Sequence, residues 1–348
     1  MGSLLTRDDF RNGVFARDNN RCVVCGSDVP PLDAHHIIER RLFDDGGYYL
    51  SNGATLCGTC HLQAEQTVLS CEQVREAAGI KEVVLPDHLY PDMRWDKWAN
   101  QILPNGTRMW GDLYGDESVT KVLEPVLDRF LPWIKYPRTW HLPFSPGLTK
   151  GDRVLPDTSH FEGQEVVVTP KYDGENTTWY RDYLHARSLD GRNHPSRNWN
   201  KNLHAQVAWQ IPERWRVCGE NLFAKHTIKY ANLPAYFLVF SIWNEANRCL
   251  SWDQTAEWCQ LLDLPLVPTL YRGVWSEEWA RHVYQPTYDG DACEGFVVRL
   301  AGEFAYKDFR RSVAKYVRQG HVGAHGHWMH SVIERNGVRK VAADDLGV

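Results

Sequence analysis

The chain has 348 residues and a mass of 40.2 kDa, which is room for two or three domains. Hydrophobic residues make up 43% and charged residues 24%, a globular mix that excludes a disordered or collagen-like chain. The formal net charge of −5 gives no global basic signal. Nine cysteines, an odd number with two CxxC pairs among them, exclude a secreted disulfide framework.

No basic and apolar leader opens the sequence, and no run of about 18 apolar residues is present. The expectation is a reducing, cytoplasmic location with no membrane association. Residues 1–100 carry 10 Lys and Arg against 15 Asp and Glu, while the remainder carries 29 of each. Within that neutral remainder, residues 181–229 and 295–320 are basic. Two such stretches are enough to form a groove for a phosphate backbone. Turn formers from Leu103 to Gly115 mark a boundary, giving domains over residues 1–105 and 106–348. The apolar spacing from Val119 to Ile134 predicts a helix.

In the first domain, Cys22 and Cys25 form one CxxC pair and Cys57 and Cys60 another, with 31 residues between the pairs. Four thiolates presented from two tight turns suit tetrahedral zinc. Between the pairs lie His35, His36 and Asn52, and His61 follows the last cysteine. This set resembles the HNH endonuclease family, a ββα-metal fold, over about residues 20–70. By that resemblance His36 is the general base, His35 and His61 ligate a catalytic divalent ion, and Asn52 orients the loop and the base. The alternation of a strand puts His35 and His36 on opposite faces. The roughly 100° step of a helix lets Cys60 and His61 serve two different metals. A domain of this kind can also act only as a folding unit or a nucleic-acid grip. Leu62 to Ala78 is expected to be one covering helix, with Cys71 on its core side.

In the second domain a β-branched run ends in Lys171, followed by Tyr172, Asp173 and the Gly174 turn. In order there follow Arg187, then Cys218-Gly219-Glu220-Asn221, then an apolar strand holding Phe240. Glu294-Gly295-Phe296-Val297-Val298-Arg299 and the segment with Lys307 and Lys315 complete the set. These motifs resemble the covalent nucleotidyltransferases over about residues 120–335, and among them the ATP-dependent RNA ligases. The resemblance implies an α+β chain. The ββα-metal zinc domain is followed by an ATP-grasp-like nucleotidyltransferase domain of antiparallel sheets and helices. It also implies that Lys171 takes AMP from ATP as a phosphoramidate, which requires a neutral amine and so a lowered pKa. Glu220 then accepts from the ribose, Arg187 contacts ribose or phosphate, and Phe240 stacks on adenine or is plain core. Glu294 holds Mg²⁺ or Mn²⁺, and Lys307 or Lys315 is the main phosphate contact.

Two features depart from that pattern. Thr169-Pro170 stands where many ligases place an acidic residue, and proline has no N–H to offer a base, which leaves ATP against GTP open. Only about 30 residues follow Lys315, too few for a further OB domain. The tail histidines from His321 to His330 read as capping or RNA-contacting residues, and Trp199, Trp209, Trp215, Trp243, Trp252 and Trp258 as mostly core.

The expected function is ATP-dependent joining of 5′-phosphate and 3′-hydroxyl RNA ends, with an HNH module that cleaves or grips nucleic acid. RNA is the expected partner, with an RNA/DNA hybrid or a nicked duplex as further candidates; no oligomeric state is legible. The alternative is a metal-dependent HNH nuclease whose nucleotidyltransferase domain only binds RNA. A third reading is a binding module.

Overall fold

The computed structural model describes residues 3–189, 191, 193–320 and 333–339, so the tail histidines lie outside the described residues. The chain divides into two units, Met1–Ile134 and Lys135–Val348. The division falls about thirty residues beyond the expected boundary. The reason is packing: Val119, Leu123 and Val126 form one cluster with Trp98, and Arg108 donates to both the hydroxyl and the carbonyl of Thr67.

The first unit opens with helix α1 (Arg7–Arg17), N-capped by Thr6, whose hydroxyl accepts from Asp9 N at 3.2 Å. Strands β1 (Leu32–His36) and β2 (Gly53–Cys57) pair antiparallel, with His36 opposite Gly53. α1 packs on this ribbon through Phe10 and Val14. A Cβ on Gly53 would lie 2.5 Å from Val14 and 2.7 Å from Phe10, so only glycine permits the approach. Helix α2 (Gly58–Glu65) follows β2 directly, then α3 (Cys71–Ala77). The single helix expected over 62–78 is therefore broken. Thr67 takes a left-handed φ of 57°, and Ser70 with Gln73 forms a capping box that starts α3 afresh. Cys71 is buried in the core as expected, and its thiol donates to Ile37 O.

Strands β3 (Arg94–Trp95), β4 (Gln101–Ile102) and β5 (Arg108–Met109), helix α4 (Glu117–Leu123) and strand β6 (Phe130–Leu131) complete this unit. The four strands form one small sheet in chain order. The helix expected to run to Ile134 stops at Leu123, because Pro125 cannot continue its hydrogen bonding, and a 3₁₀ turn over Glu124–Arg129 takes its place.

The second unit contains β7 (Trp140–His141), β8 (Glu165–Lys171), β9 (Glu175–Trp179), β10 (Leu184–Ala186), α5 (Asn198–Val207), β11 (Arg216–Asn221) and β12 (Phe237–Trp243). Then come β13 (Arg248–Cys249), α6 (Trp252–Leu261), β14 (Tyr271–Val274), α7 (Glu277–Ala280), β15 (Thr287–Tyr288), β16 (Asp291–Ala292), β17 (Gly295–Leu300), β18 (Phe304–Ala305), α8 (Phe309–Ser312) and β19 (Val313–Val317). Two sheets dominate, ordered β10-β9-β11-β12-β13-β18 and β14-β8-β17-β19-β7. Their pairs are antiparallel except β7 with β19. This is a mixed α+β chain, as the motifs imply.

The valines of β8 show how the layers form. Val166 and Val168 enter one apolar cluster with Phe296 and Val298, while Val167 enters another with Leu222, Leu238 and Trp252. A strand buried on both faces has to be apolar at consecutive positions, and this one is. Of the tryptophans, Trp243 and Trp252 are buried, Trp199, Trp215 and Trp258 half-buried, and Trp209 exposed.

Candidate functional site

In the first unit the residues needed for two metal sites converge. Cys22 and Cys25 lie on a knuckle closed by Gly26 N donating to Cys22 O and by Cys22 N donating to Ser27 O, both at 2.8 Å. Cys57 ends β2 and Cys60 lies in the first turn of α2. The four sulfurs all lie within 4.8 Å of one another, and Cys25 and Cys57 Sγ are 3.7 Å apart. Tetrahedral zinc with bonds of about 2.3 Å requires sulfurs about 3.8 Å apart, so the donor set fits a structural zinc ion.

The neighbouring residue of α2, His61, belongs to a different cluster with His35 and Glu65, whose ligand atoms also lie within 4.8 Å. His61 Nε2 is 3.2 Å and His35 Nδ1 3.5 Å from Glu65 Oε1. Glu65 was not among the expected ligands. Its signal in the sequence is its place four residues after His61, one helical turn on and on the same face. Two imidazoles and a carboxylate suit a catalytic divalent ion with open positions. Burial, then the Lys97 charge, holds the His35 pKa well below its usual value, which keeps the ring in the neutral, ligating form. Lys97 Nζ lies 3.1 Å from Glu65 and donates to His36 O at 2.9 Å.

His36 faces the other side of β1. Its ring stacks on Phe10 at 4.4 Å, and Tyr48 meets it edge-on at 5.3 Å. Burial, then Lys97, lowers its pKa to about 4, so at neutral pH it is a free imidazole able to accept a proton. Asn52 acts through the backbone. Its Oδ1 accepts from Ile38 N at 2.9 Å, and its Nδ2 donates to Ile38 O at 3.0 Å and Gly47 O at 3.2 Å. It ties down the loop that follows His36 and forms no hydrogen bond with the imidazole.

In the second unit a cavity of about 290 Å³ opens between the two large sheets. Lys171, Arg187, Glu220, Phe240 and Lys315 all line it. Lys171 ends β8, and its Nζ is 2.5 Å from Glu294 Oε2. Glu294 stands just before Gly295, where a Cβ would lie 1.9 Å from Tyr316 O. Without that glycine β17 could not approach β19, and Glu294 could not reach the lysine.

The turn after Lys171 is held by Asp173. Its Oδ2 accepts from Thr227 N and Ile228 N at 2.7 and 2.8 Å, and its N–H donates to Tyr230 OH. Gly174 N donates to Glu220 Oε1 at 3.1 Å.

The charges here differ from expectation. Burial works to lower the Lys171 pKa, but the carboxylates of Glu294, Glu220 and Asp173 outweigh it and the pKa is raised. The lysine is therefore a paired ammonium in the nucleotide-free protein, and the neutral amine that attack on ATP requires has to be generated from it. Burial, opposed by the Lys171 charge, pushes Glu220 up to about 8. Burial and Lys171 together bring Lys315 down to about 8.

Lys307 and Lys315 separate in space. Lys315 lies on β19 opposite Val297 and lines the cavity, whereas Lys307 is exposed on a 3₁₀ turn that follows the edge strand β18 and does not line it. Phe240 is the extra residue of a bulge: Cys218 pairs with Ser241 and Gly219 with Val239, so Phe240 has no partner on β11. The bulge lets the consecutive residues Phe240 and Ser241 both line the cavity. Asp152 and Arg138 line it too, and neither was expected. Asp152 Oδ2 is 3.5 Å from His141 Nε2, and His141 Nδ1 is 2.9 Å from Ser145 Oγ. Nothing in the spacing of Asp152 points to this role.

Residues 164–317 match the family model described as RNA ligase, and residues 22–67 match the one described as HNH endonuclease. The chain thus carries an RNA ligase domain and an N-terminal HNH domain. No curated protein matches. Among solved structures, a variant of Naegleria gruberi RNA ligase with ATP and Mn is 16% identical, covering 53% of this chain and 58% of its own, at a TM-score of 0.37. An archaeal ATP-dependent RNA ligase is 15% identical over 53% of this chain and 48% of its own, at 0.36. A putative ATP-dependent DNA ligase from Aquifex aeolicus is 20% identical over 53% and 50%, at 0.35. The chain thus spans only about half the length of these proteins.

Proposed function

We propose that this chain, with its HNH domain over residues 22–67 and its RNA ligase domain over residues 164–317, is an ATP-dependent RNA ligase working through a lysyl-AMP intermediate on Lys171. The observation that carries the reading is that Lys171, Glu220, Arg187, Phe240 and Lys315 line one cavity, with Glu294 in contact with the lysine. About 290 Å³ is close to the lower end of ordinary ligand pockets, which begin near 300 Å³.

Three transfers account for joining. Lys171 Nζ forms a P–N bond to the α-phosphorus of ATP as the bond to the β-phosphate oxygen breaks and pyrophosphate leaves. The ammonium gives up a proton first, and Glu294 is the base in contact with it. An oxygen of an RNA 5′-phosphate then takes the AMP, breaking the P–N bond and restoring the lysine. Last, a 3′-hydroxyl attacks that 5′-phosphate and AMP leaves. Lys315 and Arg187 neutralise phosphate charge throughout, and Phe240 offers its face to the base. Glu294 would hold Mg²⁺ or Mn²⁺, which would supply further charge neutralisation on the α-phosphate, while Glu220 would accept from the ribose. The substrates are RNA ends, including ends in a hybrid or nicked duplex.

Incubation with labelled ATP and magnesium tests this. A covalent label that Lys171→Ala abolishes is expected; the absence of any label from the wild-type protein refutes the reading. Running all four labelled nucleoside triphosphates settles the base that Pro170 left open.

A second activity, metal-dependent cleavage of nucleic acid, is favoured by the neutral His36 beside the His35–His61–Glu65 cluster. Cleavage with a divalent ion that His36→Ala abolishes is its test. Four thiols arranged for zinc suit a reducing, cytoplasmic setting. Among the described residues no helix is long and apolar enough to cross a membrane.

A further inference from the structure

The cavity beside His36 has a wall that the HNH match does not include. It holds about 470 Å³ and is lined by Arg7, Arg11, Arg40, His36 and Tyr48, with Asp8 and Asp33 also on its rim. Arg7 and Arg11 belong to α1, ahead of residue 22 where the matched stretch begins. Being four residues apart, they stand on one face of the helix, about 6 Å apart along its axis. Phe10 is buried and stacked on the His36 ring, so α1 is fixed relative to the base.

All three arginines are exposed, and none has an ion pair or a side-chain hydrogen bond among the described residues. Asp33 is engaged with His61 at 3.3 Å. Three exposed guanidinium groups without an ion pair among the described residues, Arg11 with its Cζ 5.5 Å over the Phe15 ring, surround one cleft with His36 at its base, and they match the charge and fork geometry of phosphodiesters. The cavity they surround is also lined by Asp33, which contacts His61 of the metal-ligand cluster.

We infer that α1 and Arg40 form a phosphodiester-binding cleft that continues the His36 site and grips a polynucleotide strand through its backbone. The inference rests on reading residues 22–67 as a site that handles nucleic acid. The cleft recognises phosphate charge, so RNA and DNA strands should serve alike.

The test uses the full chain carrying His36→Ala, which blocks cutting, and circular single-stranded oligonucleotides, which present no ends to the ligase domain. Binding is followed by fluorescence anisotropy across a range of salt concentrations. Adding Arg7→Ala and Arg11→Ala should weaken binding at least tenfold at low salt. It should also reduce the slope of log affinity against log salt by about 1.4, at about 0.7 per phosphate contact on a single strand. Arg7→Lys with Arg11→Lys should restore most of the slope. Unchanged affinity and slope in the double alanine variant would overturn the inference. Circular dichroism and zinc content check that the variant is folded; if it is not, Arg40→Ala alone carries the same test, with an expected slope change of about 0.7. A changed slope with no cleavage by the wild-type protein removes the nuclease and keeps the cleft, whereas cleavage with an unchanged slope removes the cleft alone.

Discussion

Lys171 Nζ and Glu294 Oε2 are 2.5 Å apart, brought together from β8 and the start of β17. The nucleophile is stored as an ion pair, and its partner is the group best placed to take its proton. Glu294→Gln keeps the shape and removes both charge and basicity. Loss of one electrostatic partner at a reacting centre typically costs on the order of 100-fold in rate. Single-turnover labelling with ATP should show a fall of at least that size. A variant within threefold of wild type would show that Glu294 is not in the chemistry.

Lys315 should set an alkaline limit. Its pKa is brought to about 8 by burial and by Lys171, while Asp152 and Glu294 act the other way and Arg187 adds to the lowering. Its charge is present below that pH and lost above it, so kcat/KM for ATP should decline as pH rises through about 8. Asp152→Asn removes a carboxylate that supports the ammonium, so the decline should move to lower pH. Glu220 also titrates near 8, and Glu220→Gln identifies its share. A profile that Asp152→Asn leaves in place would remove Asp152 from this role.

The two units have separate cores, so loss of zinc should be selective. Cys22 and Cys60 are buried in the same cluster as Ile37 and Leu56, and Lys171 is not part of it. Cys57→Ser is expected to lower bound zinc from one ion per chain and to lower the melting temperature of the first unit. Metal analysis and calorimetry read this directly. Full zinc retention would refute the four-cysteine site.

Asn52 makes a stability prediction. It is buried and satisfies both backbone groups of Ile38. Asn52→Ala leaves these groups without their partner, at a cost of about 1–3 kcal/mol. Urea denaturation of the full chain should show the first transition shifted by that amount. His36→Ala should leave stability closer to wild type while removing cleavage.

Much of the chemistry was legible because its spacing is local. CxxC pairs, adjacent histidines and a lysine before a turn carry their geometry in a few residues. The nucleophile's neighbours were harder. Lys307 and Lys315 are eight residues apart, and only the fold separates them: Lys307 is exposed on a 3₁₀ turn, whereas Lys315 lies on β19 and lines the cavity. Asp152 reaches the site through a loop whose path no periodicity encodes. The resting charge of Lys171 was not legible, because it depends on Glu294, Glu220 and Asp173, which come from the approach to β17, from β11 and from the turn after β8. The break between α2 and α3 had a visible sign in Ser70 and Gln73, which apolar periodicity alone passes over.

The unpaired Phe240 has a consequence for the whole of β12. Before the bulge Leu238 points between the sheets and Val239 toward the helices; after it, Ile242 joins the helix side and Trp243 the aromatic cluster with Phe304 and Phe309. The extra residue acts as a phase shift between two halves of one strand. Removing it would leave Gly219–Val239 and Cys218–Ser241 as consecutive pairs, so Ile242 and Trp243 would keep their faces, whereas keeping it and flattening the bulge would exchange an aliphatic and an indole between two filled cores. What the extra residue supplies is therefore local to the cavity: Phe240→Leu removes an aromatic face from its wall, and deletion of the same residue leaves a regular ladder that no longer sets two consecutive side chains on that wall.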